Sequence, residues 1–212
     1  HWQYAFGDDI HRKYTDPLIE EDLRNFLAVQ YKDKNLTTSE MDSIVANLRN
    51  TGGQNDYYAL RNTFLLYRDG YDFAYSDGRS NPFRLEYIDF EHPDHNIFRC
   101  VNQFVMEQGR ENRRPDILLF INGIPVCIIE LKNPTKQNAT IHDAHTQICT
   151  RYMRDIPALL KYCALAVISD GAKNALGATY TPFEFFYEWK KIENEDKAGK
   201  GLDTLRTLIR GA

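Results

Sequence analysis

Asp116, Glu130 and Lys132 are the residues whose types and spacing could do chemistry. They stand at the outer ends of an otherwise oily stretch, Arg113-Arg114-Pro115-Asp116-Ile117-Leu118-Leu119-Phe120-Ile121-Asn122-Gly123-Ile124-Pro125-Val126-Cys127-Ile128-Ile129-Glu130-Leu131-Lys132. Residues 126–129 read as a strand covered on both faces, where an ionised carboxylate is costly unless a metal or partner neutralises it. Asp116 opens one strand and Glu130 closes the next, so a hairpin brings them near each other. Strand side chains alternate, so Glu130 and Lys132 share a side while Leu131 takes the other. Two carboxylates and a lysine at the mouth of a sheet are the parts needed for metal-assisted hydrolysis of a phosphodiester. Asp116 and Glu130 would hold Mg2+, a hard cation that prefers oxygen ligands. The cation would acidify a bound water and neutralise charge on the phosphoryl oxygens, while the Lys132 ammonium positions that water or adds to the charge stabilisation.

The same residues have a plainer reading, in which Asp after Pro leaves a turn and Glu-x-Lys is a solvated ion pair worth little. Register separates the two. If Asn122-Gly123 made a strict two-residue turn, Ile121 would face Ile124 and Asp116 would face Ile129, leaving the two carboxylates on opposite sides of the sheet. A metal site therefore requires an odd loop or a bulge, which Gly123 followed by Pro125 could supply.

At these residues the sequence resembles the PD-(D/E)xK nucleases, and within them the N-terminal domain of the restriction (R) subunit of type I restriction-modification enzymes. The resemblance rests on Asp89-Phe90 with Pro93 and Asn96-Ile97-Phe98, Val101-Asn102-Gln103-Phe104, Arg114-Pro115-Asp116, Asn122-Gly123-Ile124-Pro125, Glu130-Leu131-Lys132-Asn133-Pro134, Ile156-Pro157, Ile168-Ser169-Asp170-Gly171 and Trp189. It implies that Asp116 and Glu130 bind the metal, with the Leu131 carbonyl as an extra ligand, and that Lys132 is catalytic. The family also carries a Gln and a Tyr four apart on the following helix. The match here is Gln147 to Tyr152, five apart. Four helical residues turn about 400° and nearly return to one face, whereas five turn about 500° and do not, so either a local bulge restores the alignment or only one of the two plays that role. An acidic residue on the first helix completes such sites, and the candidates are Glu20 and Glu21, with Glu21 preferred.

The composition is that of one folded domain: 212 residues, 42% hydrophobic and 13% aromatic, enough for one sizeable core. No apolar run approaches a membrane span and the first residues do not resemble a signal peptide, so a cytoplasmic protein with no membrane partner is expected. Cys100, Cys127, Cys149 and Cys163 lack Cys-x-x-Cys spacing and read as reduced thiols, at least Cys127 and Cys163 buried in oily runs. His92-x-x-His95 and His142-x-x-His145 have no cysteine pair beside them and read as surface positions. A net charge of −4 argues against a free-standing nucleic-acid binder. A local basic patch is nevertheless expected where DNA would pass, from Arg113, Arg114, Lys136 and Arg151, with Arg110 and Arg154 nearby.

These residues need elements to hold them. Asp16-Pro17 signals a helix to about residue 30, Thr37-x-x-Glu40 is a capping box for a second helix to about residue 50, and a third spans roughly 57–68 and stops at Gly70. Strands are expected over 71–75, 84–90 and 97–106, then the hairpin 116–132, a helix over 141–154 and an apolar strand over 162–169. Pro182 opens a helix to about residue 192, followed by a charged linker over 193–200 and a short helix over 202–209. The expected fold is therefore α/β: a restriction-endonuclease-like core with a mixed central sheet flanked by helices. Residues 1–70 form a mainly helical part, 71–192 the mixed-sheet core, and 193–212 a linker with a short helix.

There is no Gly-x4-Gly-Lys-Ser/Thr phosphate loop. The resemblance implies an ATP-driven translocase beyond this domain, so ATP would serve the intact subunit. The implied activity is Mg2+-dependent cutting of double-stranded DNA, with recognition left to separate specificity and methyltransferase subunits and little activity from the fragment alone. Two other functions remain open: a non-catalytic module docking to DNA or subunits on the same fold, and a nuclease for RNA or branched DNA.

Overall fold

The two oily runs form the centre of the molecule because they are apolar on both sides. The computed structural model describes residues 2–133 and 140–188. Strands β7 (Ile117–Ile121) and β8 (Ile124–Leu131) are the third and fourth of a seven-stranded mixed sheet in the order β1-β4-β7-β8-β9-β10-β11. Its other members are β1 (Gln3–Phe6), β4 (Phe98–Asn102), β9 (Leu165–Ser169), β10 (Asn174–Ala178) and β11 (Tyr187–Glu188). β1 lies parallel to β4 and β9 parallel to β8, and the remaining pairs are antiparallel. Alternation along β7 divides the core: Leu118 and Phe120 pack with Ile128, Ala144, Ile148 and Tyr152, whereas Leu119 packs with Cys127, Ile129 and Val167.

The N-terminal helices are α1 (Glu20–Gln30), α2 (Thr38–Asn50) and α3 (Asp56–Asp69). Their apolar stripes close over Leu18, Leu85, Tyr87, Ile124 and Tyr162, burying Leu23, Leu27, Ile44 and Leu48 completely; each such residue contributes roughly 1.5–3 kcal/mol. The capping box at Thr37 and Glu40 is fully made. Asn55 caps α3, and Gly70 ends it at φ +69, where a Cβ would lie 2.1 Å from the Leu85 carbonyl oxygen. Two small antiparallel ribbons sit outside the main sheet: β2 (Tyr71–Phe73) with β3 (Phe83–Leu85), and β5 (Met106–Gln108) with β6 (Glu111–Arg113).

Several expected boundaries shift for local reasons. α1 starts at Glu20, because Asp16 holds the Leu18 N–H with its side chain at 3.1 Å and the Ile19 N–H is held by the Gly123 carbonyl at 2.9 Å. The strand expected over 97–106 breaks after Asn102, where Gln103 takes φ +56. The helix expected after Pro182 is a single 3-10 turn, Phe183–Phe185, followed by β11, which pairs with β10. β1, β10 and the short helix Pro157–Leu160 had no expectation attached to them. The linker over 193–200, the helix over 202–209, Trp189 and Lys136 lie outside the described residues.

Candidate active site

The hairpin turn is a strict two-residue turn after all: Asn122 and Gly123 both take left-handed conformations, φ 50 and 75, and Ile121 pairs with Ile124. Asn122 is fully buried, its side chain accepting the Ile97 N–H at 2.7 Å and donating to the Tyr87 carbonyl at 2.9 Å. Gly123 is required, since a Cβ there would lie 2.1 Å from the Ile19 carbonyl oxygen. The odd residue enters just beyond the turn. Phe120 pairs with Pro125 but Leu119 pairs with Cys127, so Val126 bulges out of the ladder, next to a proline that has no N–H to give it. From there Ile117 faces Ile129, and one step further Asp116 faces Glu130 on the side that carries Leu118 and Ile128.

The bulge therefore brings Asp116 and Glu130 to the same end of the same face. The Leu131 N–H donates to Asp116 Oδ2 at 2.9 Å, and Gln103 Nε2 donates to Oδ1 at 3.2 Å. Glu130 is 2% exposed. Lys132 Nζ donates to its Oε1 at 3.2 Å and also to the Gln147 side-chain oxygen. Gln147 Nε2 donates to Glu130 Oε1 and, at 2.7 Å, to the Tyr152 hydroxyl, which in turn donates to Glu130 Oε2 at 3.3 Å. Burial, with the adjacent Asp116 charge adding to it, pushes the Glu130 carboxyl up to about 7. Burial chiefly, then the Glu130 charge, raises the Tyr152 hydroxyl as well.

Gln147 and Tyr152 both reach Glu130 despite their five-residue spacing. Helix α4 (Ile141–Thr146) runs into a π-helical segment, Gln147–Tyr152, before a last α turn at Met153–Asp155. Bonds from i to i+5 place residues five apart on one face, and such segments occur mostly as single-turn bulges inside α-helices, frequently at functional sites. Ile148 and Tyr152 anchor this segment on the core that holds Ile128, which is why it lies over Glu130.

Gln103 is the contributor that sequence reasoning did not single out. Its left-handed backbone sends its N–H to the Asp116 carbonyl at 2.9 Å and its side chain to the Asp116 carboxylate. No spacing rule signals it; Val101-Asn102-Gln103-Phe104 stood out only as part of the resemblance. On α1, Glu20 is tied to Arg24 and Arg49, and Glu21 is exposed; among the described residues neither bonds to Asp116, Glu130 or Lys132. The buried acid of that helix is Asp22, held by Arg99 of β4 through two 2.6 Å hydrogen bonds. Glu20 and Glu21 instead line a cavity of about 550 Å3 with Arg12, Arg49, Lys161 and Tyr162, apart from the carboxylate pair. Arg113 is engaged by Asp155 at 2.7 Å and by Glu111, whereas Arg114 and Arg151 are exposed.

The donor set suits a hard divalent cation: two carboxylates with a backbone carbonyl at Leu131 between Glu130 and Lys132, and a buried acid whose charge is only partly balanced by one ammonium. A mixed sheet flanked by helices, with this arrangement at one end, defines a restriction-endonuclease-like fold. The chain belongs to the family described as type I restriction enzyme R protein N terminus, which it matches over residues 1–185. It is 31% identical to the type I restriction enzyme HindI endonuclease subunit of Haemophilus influenzae, across 99% of this chain and 21% of that subunit. It is 32% identical to the type I restriction enzyme EcoprrI endonuclease subunit of Escherichia coli, across 58% of this chain and 40% of that sequence. The chain thus spans about a fifth of the HindI subunit.

Proposed function

We propose that this chain is the nuclease domain of a type I restriction enzyme R subunit and hydrolyses phosphodiesters of double-stranded DNA with Mg2+ bound at Asp116 and Glu130. The observation that carries the reading is the bulge at Val126, which puts both carboxylates on one face with Lys132, Gln147 and Tyr152 gathered round Glu130. The cation, when bound, would supply an acidified water and charge neutralisation at the phosphoryl group. Asp116 and Glu130, with the Leu131 carbonyl, would hold it. Gln103 and the Leu131 N–H fix the Asp116 carboxylate. Gln147 and Tyr152 fix Glu130 in the same way and Gln147 orients the Lys132 ammonium. Lys132 then positions the water whose oxygen attacks phosphorus as the bond to the leaving oxygen breaks, and meets the negative charge that builds there. The intact subunit would add an ATP-driven translocase and act with methyltransferase and specificity subunits in the cytoplasm; nothing in this chain resembles a base-reading module.

Calorimetric titration of Mg2+ or Mn2+ into the chain, with and without a short duplex, should show binding that Asp116→Ala abolishes. In the intact subunit assembled with its partners, Lys132→Ala should keep the fold and lower cleavage by about 10²-fold or more. Wild-type cutting by a well-folded Lys132→Ala would reject the role given to that lysine. No cation binding even with duplex present would favour the docking module.

A further inference from the structure

A second cluster of ligand-type side chains stands in the loop between β3 and β4, and the nuclease reading makes no use of it. Asp89, His92 and His95 place one ligand atom each within 4.8 Å of one another. Asp89 is 4% exposed and held from several directions. Its Oδ1 accepts the His92 N–H at 2.8 Å, its Oδ2 accepts Gln30 Nε2 of α1 at 3.1 Å, and its backbone exchanges two bonds with Asn96. His92 caps the 3-10 turn Pro93–His95 and His95 ends it. In a 3-10 turn residues i and i+3 eclipse, so the two imidazoles stack, with centroids 4.9 Å apart and planes 16° from parallel. Both turn Nδ1 towards Asp89 Oδ2, at 3.6 Å for His92 and 3.0 Å for His95.

We propose that Asp89, His92 and His95 form a binding site for a borderline divalent transition-metal ion, Zn2+ first, separate from the Asp116–Glu130 pair. With metal–ligand bonds of about 2.0–2.2 Å, donors round a tetrahedral ion lie about 3.3 Å from each other, and the two Asp–His separations bracket that distance. Two imidazoles and one carboxylate select Zn2+, Ni2+ or Cu2+ over Mg2+ or Ca2+, which want oxygen alone. The carboxylate arrives prefixed by Gln30 and the His92 N–H, as ligating groups commonly are, so only the two half-exposed rings need adjust. Because the rings open to solvent, the remaining position is left to water. Asn96 links the loop to the hairpin turn, since Asn122 Nδ2 donates to Asn96 Oδ1 at 2.7 Å. A bound ion would therefore fasten the loop, the end of α1 and the turn between β7 and β8.

The test is calorimetric titration of Zn2+ into the chain carrying Asp116→Ala, which removes the other cation site, and into the same chain with His92→Ala and His95→Ala added. Both histidine side chains are more than half exposed, so these variants keep the fold, which circular dichroism checks. One Zn2+ per chain, bound more than about tenfold more weakly after the histidine substitutions, with the His92 and His95 ring resonances moving on addition of Zn2+, is the expected result. No saturable Zn2+ binding by the Asp116→Ala chain would overturn the proposal. So would affinity unchanged by loss of both imidazoles, which would place the ion on His142, His145 or the cysteines instead.

Discussion

Glu130 shows what the site costs at the scale of one residue. A carboxyl whose proton affinity rises from 4.5 to about 7 on folding is more favourably neutral in the folded chain than in the unfolded one. The metal-free fold is therefore unburdened below about pH 4.5, loses stability as pH climbs, and carries a constant penalty above about pH 7. At ~1.4 kcal/mol per pH unit this penalty is at most about 3 kcal/mol. Glu130→Gln keeps the shape and can still accept from Lys132 while dropping the charge. In chelator at pH 8 it should be more stable than wild type by about 1–3 kcal/mol, with the gain gone at pH 4, while cation binding and cleavage are lost. Urea denaturation at the two pH values decides it; a variant no more stable at pH 8 would mean that Lys132 already compensates the buried charge. Charges at the ends of runs that bury everything else are conspicuous in a sequence, which is why Asp116, Glu130 and Lys132 could be singled out there. Gln103 and Asp22 could not: one acts through a left-handed backbone, the other through a partner, Arg99, 77 positions away.

At the scale of elements, two one-residue irregularities assemble the site: the bulge at Val126 and the π-helical segment Gln147–Tyr152. Each was legible only as a requirement, in the wrong parity of the hairpin and the five-residue Gln–Tyr spacing, because neither leaves a local signal that fixes where it falls. If the π segment is one residue inserted into an α-helix, removing that residue should be tolerated. Thr150 is exposed, and its deletion would leave Gln147 and the tyrosine four apart on a regular helix, about 400° round and again on one face, with Met153–Asp155 in unchanged phase. Deleting Thr150 should keep cleavage by the assembled enzyme within a few-fold of wild type and leave thermal stability equal or higher, whereas Gln147→Ala should lower cleavage by at least tenfold. A well-folded deletion without activity would mean the wider turn itself is needed. The capping box of Thr37 with Glu40 and the stop at Gly70 were readable, whereas the Asn55 cap of α3 was not singled out. β1, which takes its pairing from a strand far along the chain, and β11, only two residues long, were not readable; they leave Tyr4 and Tyr187 exposed.

For the whole molecule, the proposed function raises the question of how a chain of net charge −4 would meet a polyanion. Several of its arginines are spent internally: Arg24, Arg49, Arg79, Arg99 and Arg113 all hold acids. Arg113 belongs to this group although its position before Asp116 suggested DNA; it anchors Asp155, whose side chain is 3% exposed, so that β6 is tied to the end of the π-bearing helix. Arg114 and Arg151 are exposed and have no ion-pair partner among the described residues. They are adjacent in sequence to Pro115-Asp116 and Tyr152 and are not neutralised by an acid among the described residues. Phosphate contacts act by releasing counterions, each contributing about 0.9 to the slope of log affinity against log salt on duplex DNA. Substituting both Arg114 and Arg151 by Ala should therefore weaken binding of any duplex sequence alike and flatten that slope by up to about 2, with the melting temperature unchanged. Arg113→Ala should leave the slope alone and instead destabilise the fold by about 1–3 kcal/mol, because a buried carboxylate loses a partner. Fluorescence anisotropy of a labelled duplex over a salt series, beside thermal melts of the same variants, separates the two effects. A flattened slope from Arg113→Ala, or none from the double variant, would move the DNA path away from the arginines that border Asp116 and Tyr152.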